Sequence, residues 1–285
     1  MSFSFRSNYA LALLPLSAGL AFSQQGSDFV SSTPSENSCV SSTIASVPSR
    51  PTVTSATDTT QCGVVELEHG LERQWPGGGA IRDDLSGGLR IGLTQSLDFH
   101  WYSGAFVRLM NVDGDRTGYG DNWLGLRYRF LSQKKHRPSL GVFYQVKVPS
   151  ASVVEGLGSG RVDHSISFLA SKDIGHLHFD FNVIELLAGR TAAPGLDHDT
   201  GFALASWLPL TRRLSVVLEP YGYTALNQSS PAFASAMLGF NYKVQARFYL
   251  DCGFDEGISH FAPQKRVYVG VTYAIANLYS WVRPR

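Results

Sequence analysis

Residues 120–150 read GDNWLGLRYRFLSQKKHRPSLGVFYQVKVPS. Taking every second residue gives one face of Leu124, Leu126, Tyr128 and Phe130 and another of Trp123, Gly125, Arg127 and Arg129. After a polar break the alternation resumes, with Leu140, Val142, Tyr144, Val146 and Val148 set against Ser139, Gly141, Phe143, Gln145 and Lys147. A period of two puts alternate side chains on opposite faces of a strand, so the stretch predicts two β-strands joined by a turn. The fold turns on which of the two faces points inward and on what medium the other one meets.

The same alternation recurs about a dozen times from Cys62 onward. The first strand runs through 64–75, the second through 85–94 and the third through 97–106, while the opening stretch supplies the next two. Later ones fall at 164–172, 177–186, 201–209, 214–223, 233–242, 246–254 and 267–275. The links after odd-numbered strands are long and rich in Gly, Asp, Asn and Pro, as in PGGGAIRDD and SASVVEGLGSGRVD. Those after even-numbered strands are short, as in TQS, DIGH, LTRR and KVQ. Regular long/short alternation is what an up-and-down meander gives when its two ends face different compartments. A Greek-key sandwich has no reason to alternate so regularly.

Composition sets the remaining bounds. The chain has 285 residues, 12% of them aromatic and 16% charged, with 28 glycines and a formal net charge of +1. That balance gives no reason to expect a nucleic-acid partner. Residues 1–23 have the form of a secretory leader, with Arg6, an apolar stretch from Ala10 to Phe22 and a small-x-small cleavage site at Ala21-Phe22-Ser23. Residues 24–61 are dominated by Ser, Thr and Pro and predict a flexible lead-in without a core of its own. Cys39 and Cys62 are able to close a disulfide across that segment in an oxidising compartment, whereas Cys252 falls on the apolar face of a strand. No cysteine has metal-ligand spacing. The mature chain carries no apolar run long enough for a membrane-spanning helix, so the exported protein is either soluble or a membrane β-barrel.

Three features favour the membrane barrel. Twelve strands make a closed barrel too wide for side chains alone to fill. The polar face is unusually small and aromatic for a solvent surface, with Gly70, Gly88, Gly92, Gly125, Gly141 and Gly270 among Tyr, Trp and Arg. About five apolar positions per strand are enough to cross a hydrocarbon layer. The expectation is an all-β protein, a transmembrane antiparallel up-and-down β-barrel of about 12 strands over 62–276, with a short tail at 277–285. Its apolar side chains then face lipid, with Trp101, Tyr128, Phe130, Trp207 and Tyr273 in interfacial girdles. The outer membrane is its expected location.

GDNWLGLRYRF followed by VKVPSASVVEGLGSG resembles the signature region of one family, the bacterial outer-membrane β-barrels of the MetA-pathway phenol-degradation type. The matching residues are Gly120-Asp121, Leu124 to Phe130, Val146 to Ser150, Gly156 to Gly160 and Val269 to Tyr273, and GVVELEHG is similar to the family's first strand. Pro149-Ser150-Ala151 stands where the family has Pro-Thr-Gly, and the chain continues as ANLYSWVRPR beyond the closing strand. The resemblance covers roughly 62–275 and implies a barrel with a passive transport role for small solutes, aromatic ones among them. A non-conducting barrel acting through its long outer loops is the alternative.

On this reading Arg90, Arg127, Arg129, Lys147 and Arg247 line the lumen together with Glu66, Glu68, Asp98, Asp180, Glu219 and Asp251. Two uses are open for this set. It forms a paired network that braces the wall, since buried charges persist only when compensated. Or Arg127, Arg129 and Lys147, on neighbouring strands, form a basic strip that draws in anionic solutes. An enzyme is disfavoured, because a His base and a Ser nucleophile on one strand face must stand two residues apart and no such pair occurs. His178 with Asp180 and His198 with Asp199 suit polar lining and a solvated loop. NVDGDRTGYGD has the carboxylates for a Ca²⁺ loop in Asp113, Asp115 and Asp121, but an exposed Gly/Asp loop fits it better. No cofactor is expected; the partners are outer-membrane lipid and a small solute.

Overall fold

In a computed structural model the described residues are Cys39 and 44–111, 114–191, 193–226, 230–262 and 265–282; the leader, most of the lead-in's first half and Asp113 lie outside them. The strands are β1 (Val64–Gly77), β2 (Ala80–Gly92), β3 (Leu97–Asn111), β4 (Gly114–Gly118), β5 (Asn122–Leu131), β6 (Ser139–Val148) and β7 (Asp163–Ile174). They continue as β8 (Leu177–Gly189), β9 (Leu196–Pro209), β10 (Leu214–Tyr223), β11 (Phe233–Gln245), β12 (Phe248–Gly257) and β13 (Lys265–Asn277), with a helical turn α1 (Tyr279–Val282) at the end. Each barrel strand pairs antiparallel with its neighbours, and β1 pairs with both β2 and β13, so the sheet closes on itself. The short β4 stands outside the circle, as a hairpin on the outer end of β3. All twelve expected strands are present.

The inside-out pattern is plain along β5. Leu124, Leu126, Tyr128 and Phe130 are 38, 47, 47 and 53% exposed, while Arg127 is buried. On β1, Glu66, Glu68 and Gly70 are buried and Leu71 is exposed. Ten residues at about 3.3 Å each, tilted by about 40°, rise roughly 25 Å, the height of an outer-membrane apolar band. A continuous apolar outer surface of this kind has a physical home only against lipid, where closure also leaves no unpaired strand edge.

Three sequence expectations change. Trp207 faces inward, on the side of Ala203 and Ala205, where it packs with Val217, Met237 and Tyr268. Small inner residues on β9 leave the room it fills, so it belongs to no girdle. The first outer connection is a tight turn, not a long loop: β1 and β2 pair up to Gly77 and Ala80, with Gly78 and Gly79 at φ 61° and 78°. Two successive positive φ values suit a two-residue hairpin turn, which glycine adopts without strain. Arg247 lies in the β11–β12 turn, one residue ahead of Phe248, with its Nε buried and with the parity of the inward Tyr249 and Asp251. Finally, residues 44–61 are no free lead-in but lie inside the barrel, as described below.

The chain beyond Ala276 is anchored too. Asn277 still pairs with Val64. Its Oδ1 accepts from the amides of Tyr279 and Ser280, and the Tyr279 hydroxyl donates to the Leu93 carbonyl at 2.8 Å. This end of the barrel carries the short turns.

Candidate functional site: the lumen and its internal belt

Charged positions on the inner wall meet a second wall inside the first. From Ala45 to Thr60 the chain follows the interior wall, starting beside the β11–β12 turn, reaching β1 and then passing back over β12, β11, β10, β8 and β7 to β3. There Ser46 Oγ donates to the Arg247 carbonyl at 2.7 Å. The amides of Val47 and Ser49 donate to Glu66 and Glu68, both at 2.7 Å, on β1. Arg50 reaches Asp251 on β12 at 3.3 Å, and its carbonyl accepts from Asn241 on β11. The amides of Val53 and Thr54 donate to Glu219 on β10 at 2.9 and 2.6 Å. Ser55 N donates to Asn182 on β8, Thr57 N to Ser171 on β7 and Thr60 N to Asp98 on β3. A disulfide between Cys39 and Cys62 joins the two ends of this belt.

The belt's composition explains its place. A Ser/Thr/Pro segment lacks the apolar surface for a core, but it is rich in amide and hydroxyl donors. The wall offers carboxylates and amide oxygens at matching heights, and buried polar groups on both sides must find partners. Charge-assisted bonds from backbone N–H to carboxylate are the strong kind. Low apolar content therefore signalled a polar surround as much as freedom. The cysteine spacing holds the other clue, since a Cys39–Cys62 bond ties Cys39 to the start of the barrel.

The wall charges are paired. Arg90 is fully buried and donates to Glu66, to the Val47 carbonyl and to Ser49, with Glu68 at 3.1 Å. Arg127 grips Asp98 at 3.2 and 2.6 Å and donates to the Ala56 carbonyl at 3.1 Å. Arg129 bonds Asp58 of the belt at 2.6 Å and the Gln95 carbonyl at 2.8 Å. His100 Nδ1 lies 3.3 Å from the Tyr102 hydroxyl, which donates to Glu68 at 3.4 Å. Asp180 receives Ser171 Oγ at 2.6 Å and lies 3.1 Å from His178 Nε2.

Lys147 stands apart from the two arginines. The register sets Arg127 opposite Phe143 and Lys147 opposite Trp123, four residues further along β6. That separation is about 13 Å at 3.3 Å per residue. Lys147 pairs with Asp163 and donates to Ser159 Oγ at 2.9 Å. The three cations therefore form no strip, because face alternation alone carries no information about register between strands.

Three further histidines have tyrosine or carboxylate partners. His164 bonds Tyr144 at 2.8 Å, His178 contacts Asp173 at 2.6 Å, and His198 contacts Glu185 at 3.0 Å. Asp115 pairs with Arg108, and Asp121 accepts the amides of Ser150 and Ala151 at 2.9 Å. Among the described residues no three ligating side chains form a metal-holding group.

On the long-loop side of the belt lies a cavity of about 380 Å³ lined by Tyr102, Trp123, Gln145, Ser165, Ile184 and Tyr223. Its lining falls two to six residues further toward the long loops than the belt contacts Asp98, Ser171, Asn182 and Glu219 on the same strands. The lumen thus has two storeys, a braced lower ring and an aromatic upper chamber.

A closed antiparallel barrel with a polar interior and an apolar exterior has the fold of the outer-membrane β-barrels. Among solved structures the chain is similar to the COG4313 outer membrane channel from Pseudomonas putida F1, at 14% identity over 77% of this chain and 98% of that one, with a TM-score of 0.61. It is also similar to the NanC porin, at 10% identity over 74% of this chain and 100% of that one, with a TM-score of 0.50. At such identities the likeness is one of fold. No family model and no curated protein matches the sequence.

Proposed function

We propose that the chain is an outer-membrane channel, exported behind its N-terminal leader, that passes small solutes, aromatic ones among them. One observation carries this reading. The belt keeps to the wall, bonding β1, β12, β11, β10, β8, β7 and β3 along its length, which is how a lining narrows a pore without sealing it. Groups on the belt keep access to water inside the barrel: the Arg50 and Asp58 side chains are 20 and 45% exposed.

The upper chamber supports the aromatic preference. Trp123, Tyr102 and Tyr223 offer ring faces against which a planar solute can pack, beside Gln145 and Ser165 as hydrogen-bonding groups. The motif resemblance to the phenol-degradation type of barrel agrees with it. The paired wall favours bracing over anion attraction as the role of the lumenal charges, since Arg90, Arg127, Arg129 and Lys147 each meet a carboxylate.

A second reading has a specific observation behind it. The dense bonding between belt and wall suits a barrel whose lower storey is filled and which acts through its outer loops. Conductance of the purified chain in planar bilayers separates the two. Steady single-channel steps are expected, and silence at every voltage overturns the channel reading. Heat-modifiable gel mobility of the membrane fraction tests the barrel itself, and recovery in the soluble fraction overturns it.

A further inference from the structure

The short-turn end of the barrel has a charge character that neither the lumen nor the solute path uses. The five short turns comprise Leu93–Ser96, Ser132–Pro138, Gly175–His176, Leu210–Arg213 and Ala246–Arg247, and no Asp or Glu occurs in any of them; Asp173, just before the third, accepts from Gln133 at 2.7 Å and contacts His178 at 2.6 Å. They hold Lys134, Lys135, Arg137, Arg212, Arg213 and Arg247, together with His136 and His176. Lys134, Lys135, Arg137, Arg212 and Arg213 are exposed. The opposite end differs. There arginines sit beside aspartates, as in Arg73–Asp83 at 2.6 Å, Arg82–Asp84 at 2.8 Å and Arg190–Asp197 at 2.6 Å, so charge cancels locally.

The basic turns are also held in shape. Lys134 and Arg137 exchange backbone bonds at 3.1 and 3.3 Å. Lys172 Nζ collects the carbonyls of Lys134, Lys135 and Arg137 at 2.7, 3.0 and 3.4 Å. With its carbonyls drawn to one ammonium group, the turn presents its side chains outward as a preset cationic cluster.

The level of this cluster is fixed by its neighbours. Phe130, Ile174, Leu177 and Leu210 are exposed hydrophobics within a few residues of the turns, on the lipid-facing side. Phe248 and Tyr273 meet edge to face at 6.1 Å beside the last turn. Side chains just past an apolar and aromatic border lie at the height of lipid headgroups.

We infer that the short-turn end binds anionic phospholipid headgroups of the leaflet it emerges from, through Lys134, Lys135, Arg137 and Arg213. Each Lys or Arg near an anionic membrane surface strengthens attraction about fivefold. This rests on the membrane-barrel reading but not on conduction.

The test is native mass spectrometry of the full chain in detergent with equimolar phosphatidylglycerol and phosphatidylcholine. The wild type is expected to retain phosphatidylglycerol at least about tenfold over phosphatidylcholine. A variant carrying Lys134→Gln, Lys135→Gln, Arg137→Gln and Arg213→Gln should lose that preference while its heat-modifiable mobility stays intact. Equal retention of the two lipids by the wild type, or a preference that survives the four substitutions, overturns the proposal. Mobility that never changes with heat would show instead that the barrel reading has failed, and the proposal with it. Displacement of the lipid by millimolar inorganic phosphate would reveal a simple phosphate site and also overturn it.

Discussion

Arg127 on β5 and Asp98 on β3 lie opposite each other in the register and are joined by two nitrogens of one guanidinium, at 3.2 and 2.6 Å. Both are buried. Asp98 also receives the belt amide of Thr60 at 2.7 Å, and Arg127 donates to Ala56. One ion pair therefore ties two wall strands to the belt.

Removing one partner leaves the other charged and uncompensated, which costs about 3–5 kcal/mol in a buried site. Arg127→Ala should lower the temperature at which the folded gel band converts to the unfolded one. Combining it with Asp98→Asn should recover part of the loss, since no lone charge then remains. An Arg127→Ala protein as heat-resistant as the wild type would contradict the bracing role.

The belt makes a second prediction. Its ends are joined by Cys39–Cys62, and closing a loop of this length restricts the free chain by about 3 kcal/mol. Replacing both cysteines with serine should let the belt leave the wall more often. Larger or noisier conductance steps are the expected result in planar bilayers, and a reductant should reproduce them in the wild type only. Identical traces in all conditions would mean that the wall contacts alone hold the belt.

How much of this was readable beforehand follows from what each signal encodes. The alternation Leu124, Leu126, Tyr128 and Phe130 against Gly125 and Arg127 encodes strand and face, and both came out as expected. Strand count and closure followed from repeating that pattern with alternating loops. The pattern does not place Trp207, because a hydrophobic residue at a strand end suits either face and parity with Ala205 decides it. The distance from Lys147 to Arg127 is not legible in the pattern, because register depends on where each strand begins, which composition does not reveal. The belt is illegible in the sequence for a related reason. Polar segments announce what they lack, not the acceptors that Glu66, Glu68 and Glu219 supply from far along the chain.

The upper chamber predicts a specific loss. Trp123 contributes the largest ring to its lining, and a ring–ring contact is worth about 0.5–1.5 kcal/mol beyond burial. Trp123→Ala should weaken block of the current by phenol roughly twofold to tenfold, with little change in conductance to small ions. Unchanged block would place the aromatic contact elsewhere.

The outer face makes the last prediction, and it separates lipid from water as the medium there. Leu126 is 47% exposed and lies in register with Phe99 on β3 and Tyr144 on β6. If that surface met water, Leu126→Arg would be nearly neutral, because an exposed arginine is well solvated. Against hydrocarbon the same change costs about 2–4 kcal/mol near the midplane. Assembly into the heat-modifiable form should then fall sharply for Leu126→Arg, while Leu126→Phe should assemble normally. Charge at Gln145 makes the control: its partly buried side chain faces the lumen and not lipid, so Gln145→Glu should leave assembly intact. Equal assembly of all three variants would return the barrel to a soluble setting.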